Sequence, residues 1–233
     1  LLEEVYKVNK NIVLVLMNGR PLNINWADKN IPSIVEAWQL GTQTGNAIAQ
    51  VLYGDYNPSG KLPMTFPRSV GQIPIYYNYK NTGRPGPKNE VFWSAYNDEV
   101  NTPLYPFGYG LSYTTFEYSN IAIDNKILKK NNSINVSVEL KNTGKFKGKE
   151  VVQLYIKDRY ASVTRPVREL KGFEMIELNP GESKTVSFEI SESLLRFYSA
   201  NEVWESEPGI FDIFIGTDSN ASLQENFKLI RKF

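Results

Sequence analysis

Two hydrophobic rhythms divide the chain. Before residue 104, apolar positions come in short runs and at helical spacing, and beyond residue 115 they alternate with polar ones almost to the end. Leu1, Leu2, Val5 and Val8 mark a helical stripe with Glu3, Glu4 and Lys7 outside it. Residues 12–17 form a strand-sized run that is apolar on both faces, the pattern of a parallel strand covered by helices. Residues 25–28 predict a short turn or helix, and residues 31–38 a second buried strand. Gly41-Thr-Gln-Thr-Gly45 opens a helix carrying Ala47, Ile48, Val51 and Leu52 at helical spacing. After the turn-rich residues 54–60, residues 61–66 predict a short strand that Pro63 places near an edge. Strand alternating with helix predicts a partial α/β sandwich with a mostly parallel sheet. It has too few strands to be covered on both faces, so further strands are expected upstream of Leu1.

The second rhythm is simpler. Ile134, Val136, Val138 and Leu140 alternate with polar residues, as do Val152, Leu154 and Ile156, then Val186, Phe188 and Ile190, and residues 210–215 complete the set. Turn clusters at residues 142–144, 178–182 and 206–209 separate these stretches and predict an antiparallel β-sandwich. The Lys-rich residues 141–149 read as a solvated edge. The expected division is an α/β domain over residues 1–75, a long aromatic loop and linker over 76–115, and an all-β sandwich over 116–233.

Two stretches between these units admit two readings each. Residues 104–114, Leu-Tyr-Pro-Phe-Gly-Tyr-Gly-Leu-Ser-Tyr-Thr, are either an extended seam packed between the domains or an aromatic-rich loop. Residues 69–101 are rich in Tyr, Pro and Asn and broken at residues 81–87. Their aromatics, with Asn78, Asn97, Asp98 and Glu99, suit stacking on sugar rings, or they pack the loop down on itself.

Composition removes whole classes of chemistry. The chain has no Cys and no His, which excludes disulfides, thiol catalysis, a Ser-His-Asp triad and His-ligated metal. Net charge is +1, and neither half is a polycation, so nucleic acid is not an expected partner. No apolar run approaches a membrane span, no signal peptide is visible, and Gly41-Thr-Gln-Thr-Gly45 lacks the Gly-Lys-Ser/Thr ending of a phosphate loop. The missing initiator Met and mid-pattern start raise the expectation of a piece of a longer chain. Asn131, Asn135 and Asn220 head Asn-x-Ser sites, which matter only in a glycosylating host.

Residues 11–21 (Asn-Ile-Val-Leu-Val-Leu-Met-Asn-Gly-Arg-Pro), 54–67 (Gly-Asp-Tyr-Asn-Pro-Ser-Gly-Lys-Leu-Pro-Met-Thr-Phe-Pro) and 104–114 closely resemble the C-terminal half of glycoside hydrolase family 3 β-glucosidases, nearest the bacterial periplasmic type. The likeness continues through residues 165–173 and 208–218. It implies a catalytic (β/α)₈-type barrel, an α/β sandwich and a fibronectin type III-like sandwich, of which this chain carries the later part of the second and all of the third. It implies retaining hydrolysis of β-glucosides or gluco-oligosaccharides through a glycosyl-enzyme intermediate, with an Asp nucleophile on the barrel and a Glu acid/base upstream of residues 12–17. No catalytic residue, metal or cofactor is then expected in this chain. Its expected partners are the sugar substrate and the N-terminal barrel of the parent chain, a homodimer is compatible with it, and its expected compartment is periplasmic or secreted. A family segment that commonly reads Ser-Arg-Tyr-x-Asp aligns with Ser94, Tyr96 and Asp98, with Ala95 at the Arg position. The resemblance makes Trp93, Tyr96 and Asp98 candidates for lining outer sugar subsites, against a role in anchoring the loop on the barrel. The competing reading from another class is a non-catalytic carbohydrate- or protein-binding module.

Overall fold

The run at residues 12–17 does become a strand, but the sheet around it is small. The computed structural model describes residues 1–85 and 92–230. Its first half contains α1 (Leu2–Val8), β1 (Val13–Leu16), α2 (Asn25–Asn30), β2 (Ser33–Glu36) and α3 (Thr44–Tyr53). β1 and β2 pair in parallel, with Val13 opposite Ser33 and Leu16 opposite Glu36. The helical stripe of α1 is turned differently from the one expected. Val5 and Val8 are exposed, and Tyr6 packs edge-on against Trp26 at 5.5 Å.

The expected mostly parallel sheet does not form. Among the described residues, β1 with β2 is the whole sheet of this half. Residues 61–66, the expected third strand, pair elsewhere. Pro63 has no N–H to offer a ladder, and its neighbours bond residues 104–109 instead. Leu62 N–H donates to Tyr109 O and Gly108 N–H to Leu62 O, both at 2.8 Å. Phe66 N–H donates to Tyr105 O and Leu104 N–H to Phe66 O, both at 2.9 Å. The segment is extended as its composition predicts, but its partner is the aromatic stretch rather than β1.

The second half is a β-sandwich of β3 (Phe116–Ile123), β4 (Ile127–Lys129), β5 (Ser133–Asn142), β6 (Gly148–Asp158), β7 (Glu169–Leu178), β8 (Ser183–Ser191), a small hairpin β9 (Phe197–Tyr198) and β10 (Trp204–Glu205), then β11 (Gly209–Gly216) and β12 (Leu223–Ile230). One sheet runs β4-β12-β11-β6-β7 and the other β3-β5-β8. All ladders here are antiparallel except β4 beside β12. Alternation places Val136, Val138 and Leu140 of β5 against Val152 and Leu154 of β6, with Ile190 and Ile213, in one core that is essentially closed to water. Gly86 and Pro87 of the expected break, and residues 231–233 at the end of the expected sandwich, lie outside the described residues.

The expected turn at residues 142–144 is organised by a fully buried Asn142. Its Oδ1 accepts from Thr114 Oγ1 (2.7 Å) and Gly144 N–H (3.1 Å), and its Nδ2 donates to Phe146 O (2.8 Å) and Leu178 O (3.0 Å). Every hydrogen-bonding site of that amide is used, which is the condition for burying it.

Truncation of Leu154, 1% exposed in the centre of this core, tests the packing. Leu154→Ala is expected to destabilise the sandwich by about 2–5 kcal/mol, read from the midpoint of urea unfolding with an unchanged slope.

Candidate functional site

The aromatic stretch at residues 104–114 runs between the two halves and touches both. Toward the α/β side, the Tyr105 ring stacks on Tyr109 (5.2 Å) and meets Phe66 (5.9 Å), which meets Trp38 (6.0 Å). Tyr105 OH donates to Asp28 Oδ1 at 2.6 Å and Tyr113 OH to Val51 O at 2.6 Å. Toward the sandwich, Phe107 stacks on Tyr77 at 4.3 Å, and Tyr77 stands edge-on to the buried Tyr155 at 5.9 Å. Gly108 O accepts from Gln153 Nε2, and Phe107 O from Ser219 N–H at 2.9 Å. Two glycines make this approach possible. Gly108 has φ +81°, and a Cβ there would strike the Gln153 side chain; a Cβ on Gly110 would strike Gly60 O.

A charged knot pins the ribbon. Lys61 Nζ lies between Glu150 Oε1 and Oε2 (3.1 Å each), Gly110 O (3.0 Å) and Thr217 Oγ1 (2.6 Å). The Lys61 and Glu150 side chains are 10% and 5% exposed. Tyr118 OH donates to Glu150 Oε1 at 2.8 Å. Sequence reasoning missed this pair, although its signal was present. Glu150 precedes Val152 and Leu154 at period two, so alternation already points it inward.

Two concave places result. A groove of about 590 Å³ lies along the ribbon, with Leu16, Trp38, Phe66, Tyr105 and Tyr109 among its walls and Asp28 and Glu36 as its carboxylates. Both carboxylates are already bonded, Asp28 by Tyr105 and Glu36 by Asn18 Nδ2 (3.2 Å) and Trp38 N–H (3.1 Å). Burial, then the bond and charge of Asp28, hold the Tyr105 phenol protonated far above its ordinary range. It is a fixed donor rather than an acid or base at neutral pH.

The second cleft, about 400 Å³, is built by the aromatic loop from Pro74, Tyr76, Tyr79, Tyr96, Asn101 and their neighbours. Gln72 braces it from below, accepting from Arg68 N–H (2.7 Å) and donating to Val100 O (2.8 Å). Of the sequence candidates, Tyr96 lines this cleft, with its hydroxyl 3.4 Å from Gly71 O. Trp93 is half-buried away from the lining, its indole Nε1 enclosed without a hydrogen-bond partner among the described residues. Asp98 is exposed and lines neither cleft. The three do not converge. Ala95 also borders the cleft, so its methyl forms part of the wall. Among the described residues no cluster of three or more acidic groups is placed to hold a metal ion.

A different ionic cluster sits where β6 ends. Asp158 Oδ2 and Arg165 Nε are buried 4.0 Å apart, each without a hydrogen bond, while Arg165 Nη2 donates to Glu169 at 2.7 Å. Burial pushes the Asp158 carboxyl up to about 6. The Tyr160 N–H and Arg165 oppose this, and Glu207 and Glu169 add to it.

The build is an α/β layer strapped to a β-sandwich, with aromatic clefts at the strap. The glycosyl hydrolase family 3 C-terminal domain matches residues 1–113, and a fibronectin type III-like domain matches residues 150–219. The periplasmic β-glucosidase of Salmonella typhimurium is 53% identical over 95% of this chain and 29% of its own length. A β-xylosidase of Formosa agariphila is 47% identical over 95% of this chain and 30% of its own. The crystal structure of a Listeria innocua β-glucosidase in complex with glucose superposes with a TM-score of 0.92 at 41% identity, covering 97% of this chain and 32% of that one. The chain belongs to glycoside hydrolase family 3, and it spans about 30% of the length of these relatives, at their C-terminal end.

Two measurements test the electrostatics. Lys61→Ala leaves Glu150 buried without its cation and is expected to cost about 3–5 kcal/mol in urea unfolding, whereas Lys61→Met with Glu150→Leu recovers most of the loss. The unfolded Asp158 carboxyl has its ordinary value of 3.8 against about 6 when folded. The folded state therefore binds the extra proton, and stability falls as pH rises from 4 to 6. Asp158→Asn is expected to flatten that slope in thermal melts across the interval.

Proposed function

We propose that this chain is the scaffold and one wall of the active-site cleft of a retaining β-glucosidase, one that hydrolyses terminal β-D-glucosyl residues of oligosaccharides or aryl glucosides. The observation that carries the reading is the fit of 97% of the chain onto the C-terminal third of a β-glucosidase crystallised with glucose. On this reading both reacting carboxyl groups lie on polypeptide outside the chain, an Asp on a barrel and a Glu on the rest of the α/β layer. The carboxylates of the seam groove are engaged in structural hydrogen bonds, which supports a scaffold role.

The N-terminal barrel of the parent chain is the main partner. The exposed Val5, Val8 and Val13 on α1 and β1 suit burial by such a neighbour. A homodimer is compatible with the same surfaces. A periplasmic or secreted location follows the Salmonella relative. Trp93, Tyr96 and Asp98 are proposed for outer sugar subsites, and the position of Tyr96 beside Tyr76 and Tyr79 supports its share. The 47% identity to a β-xylosidase favours a second reading, a pentoside-cleaving enzyme lacking demand for the sugar hydroxymethyl group.

The chain alone is expected to give no turnover of 4-nitrophenyl β-glucoside; activity that survives repurification overturns the scaffold reading. In the complete parent enzyme, the ratio of glucoside to xyloside kcat/KM separates the two substrate readings. There, Tyr96→Ala is expected to raise KM for a gluco-oligosaccharide about tenfold with kcat nearly unchanged.

A further inference from the structure

We propose a second saccharide-binding surface on the sandwich, formed by Tyr198 and Trp204 and suited to a β-linked glucan. The two residues are directly opposed across the β9–β10 hairpin. Cross-strand partners share one face with Cβ atoms about 5 Å apart, so both rings rise from the same face of the hairpin. Tyr198 is 60% and Trp204 66% exposed, whereas Phe197, one residue away, is 3% exposed beneath the Arg165 guanidinium at 4.2 Å. The hairpin therefore has an anchored underside and an open aromatic top.

The platform is stiff. Ser199 N–H donates to Val203 O at 3.0 Å, and Ser199 Oγ (2.7 Å) and Asn201 Nδ2 (3.1 Å) both donate to Glu205 Oε1. Ala200 N–H donates to Ser162 Oγ at 3.1 Å, tying the hairpin to the loop after β6. Immediately after β10, Ser206 Oγ donates to Glu192 Oε1 at 2.6 Å. Glu192 is itself 2% exposed and gripped by Arg196 Nε (3.1 Å) and Nη2 (2.9 Å). A hairpin backbone held this way loses little freedom when a ligand covers it.

Size and surroundings select the occupant. Two partly exposed rings offer a few hundred Å², well short of the roughly 800 Å² per partner of a stable protein interface. Their exposed neighbours at the tip of the hairpin are Asn201 and Glu202, polar groups that suit hydroxyls, and the single apolar Val203. A β-linked pyranose with equatorial hydroxyls has a face of axial C–H bonds whose slightly positive hydrogens meet the negative face of an aromatic ring. Two rings on one face then each take a sugar, while Asn201 and Glu202 meet the equatorial hydroxyls. The platform belongs to the sandwich and includes none of the residues that line the seam groove or the loop cleft. Its consequence is retention of the enzyme on polymeric substrate.

The choice of β-glucan rests on the β-glucosidase reading above. That reading is tested by aryl glucoside hydrolysis in the parent enzyme, which Trp204→Ala leaves unchanged, so the two can fail separately. The 233-residue chain is run in native gels cast with laminarin, with dextran as the α-glucan control. Retardation by laminarin alone is expected, lost in Trp204→Ala and in Tyr198→Ala, retained in Tyr96→Ala. Calorimetry with laminarihexaose is expected to show about tenfold weaker binding for Trp204→Ala and near-complete rescue by Trp204→Phe. Both residues are exposed, and unchanged unfolding midpoints exclude a folding defect. Retardation that survives Trp204→Ala, equal retardation by dextran, or no laminarin binding overturns the proposal. So does self-association that Trp204→Ala abolishes in place of sugar binding.

Discussion

A single ammonium group joins every part of the molecule. Lys61 leaves the turn after α3, passes the aromatic ribbon at Gly110, and ends on Glu150 of one sheet beside Thr217. Tyr118 of the other sheet bonds the same carboxylate. A lysine ammonium has three donors, and three groups accept them: a carbonyl, a carboxylate and a hydroxyl. Burying such a charge is expensive, and this geometry offsets much of that cost. What the knot adds is register. In the observed position Lys61 reaches Glu150 and both glycines clear their neighbours.

Around that knot the tyrosines divide their labour by environment. Tyr105 and Tyr113 turn their hydroxyls toward the α/β half, to Asp28 and Val51. Tyr118 and Tyr155 stay within the sandwich, bonded to Glu150 and Gln153. Burial raises the phenols of Tyr105, Tyr118 and Tyr155, so each remains a neutral donor through the physiological range. An aromatic strap of this kind supplies area and directed hydrogen bonds together. That suits a segment which holds two domains in fixed relation while a cleft opens beside it.

The sandwich was legible because period two is unambiguous when one face of every strand is buried. The alternation in β5 and β6 marked the core residues, and the turns fell where Asn, Pro and Gly cluster. Less of the α/β half was legible. Residues 12–17 and 31–38 announced strands, but the sheet they form has only one ladder among the described residues. Residues 61–66 carry the same extended signature whether they join that sheet or the ribbon, because strand propensity does not name a partner. Trp93, Tyr96 and Asp98 are neighbours in sequence, yet only Tyr96 borders the cleft. In an irregular loop no period relates sequence spacing to facing.

By itself the sequence determined the sandwich core, which depends on local periodicity, and the side-chain chemistry that a chain without Cys or His lacks, while its motifs carried the resemblance to the family. The tertiary structure alone decided the partner of residues 61–66, the meeting of Lys61 with Glu150 from 89 positions away, and the pairing of Tyr198 with Trp204 on one face. Those depend on where distant segments are brought together, and local pattern carries no record of that.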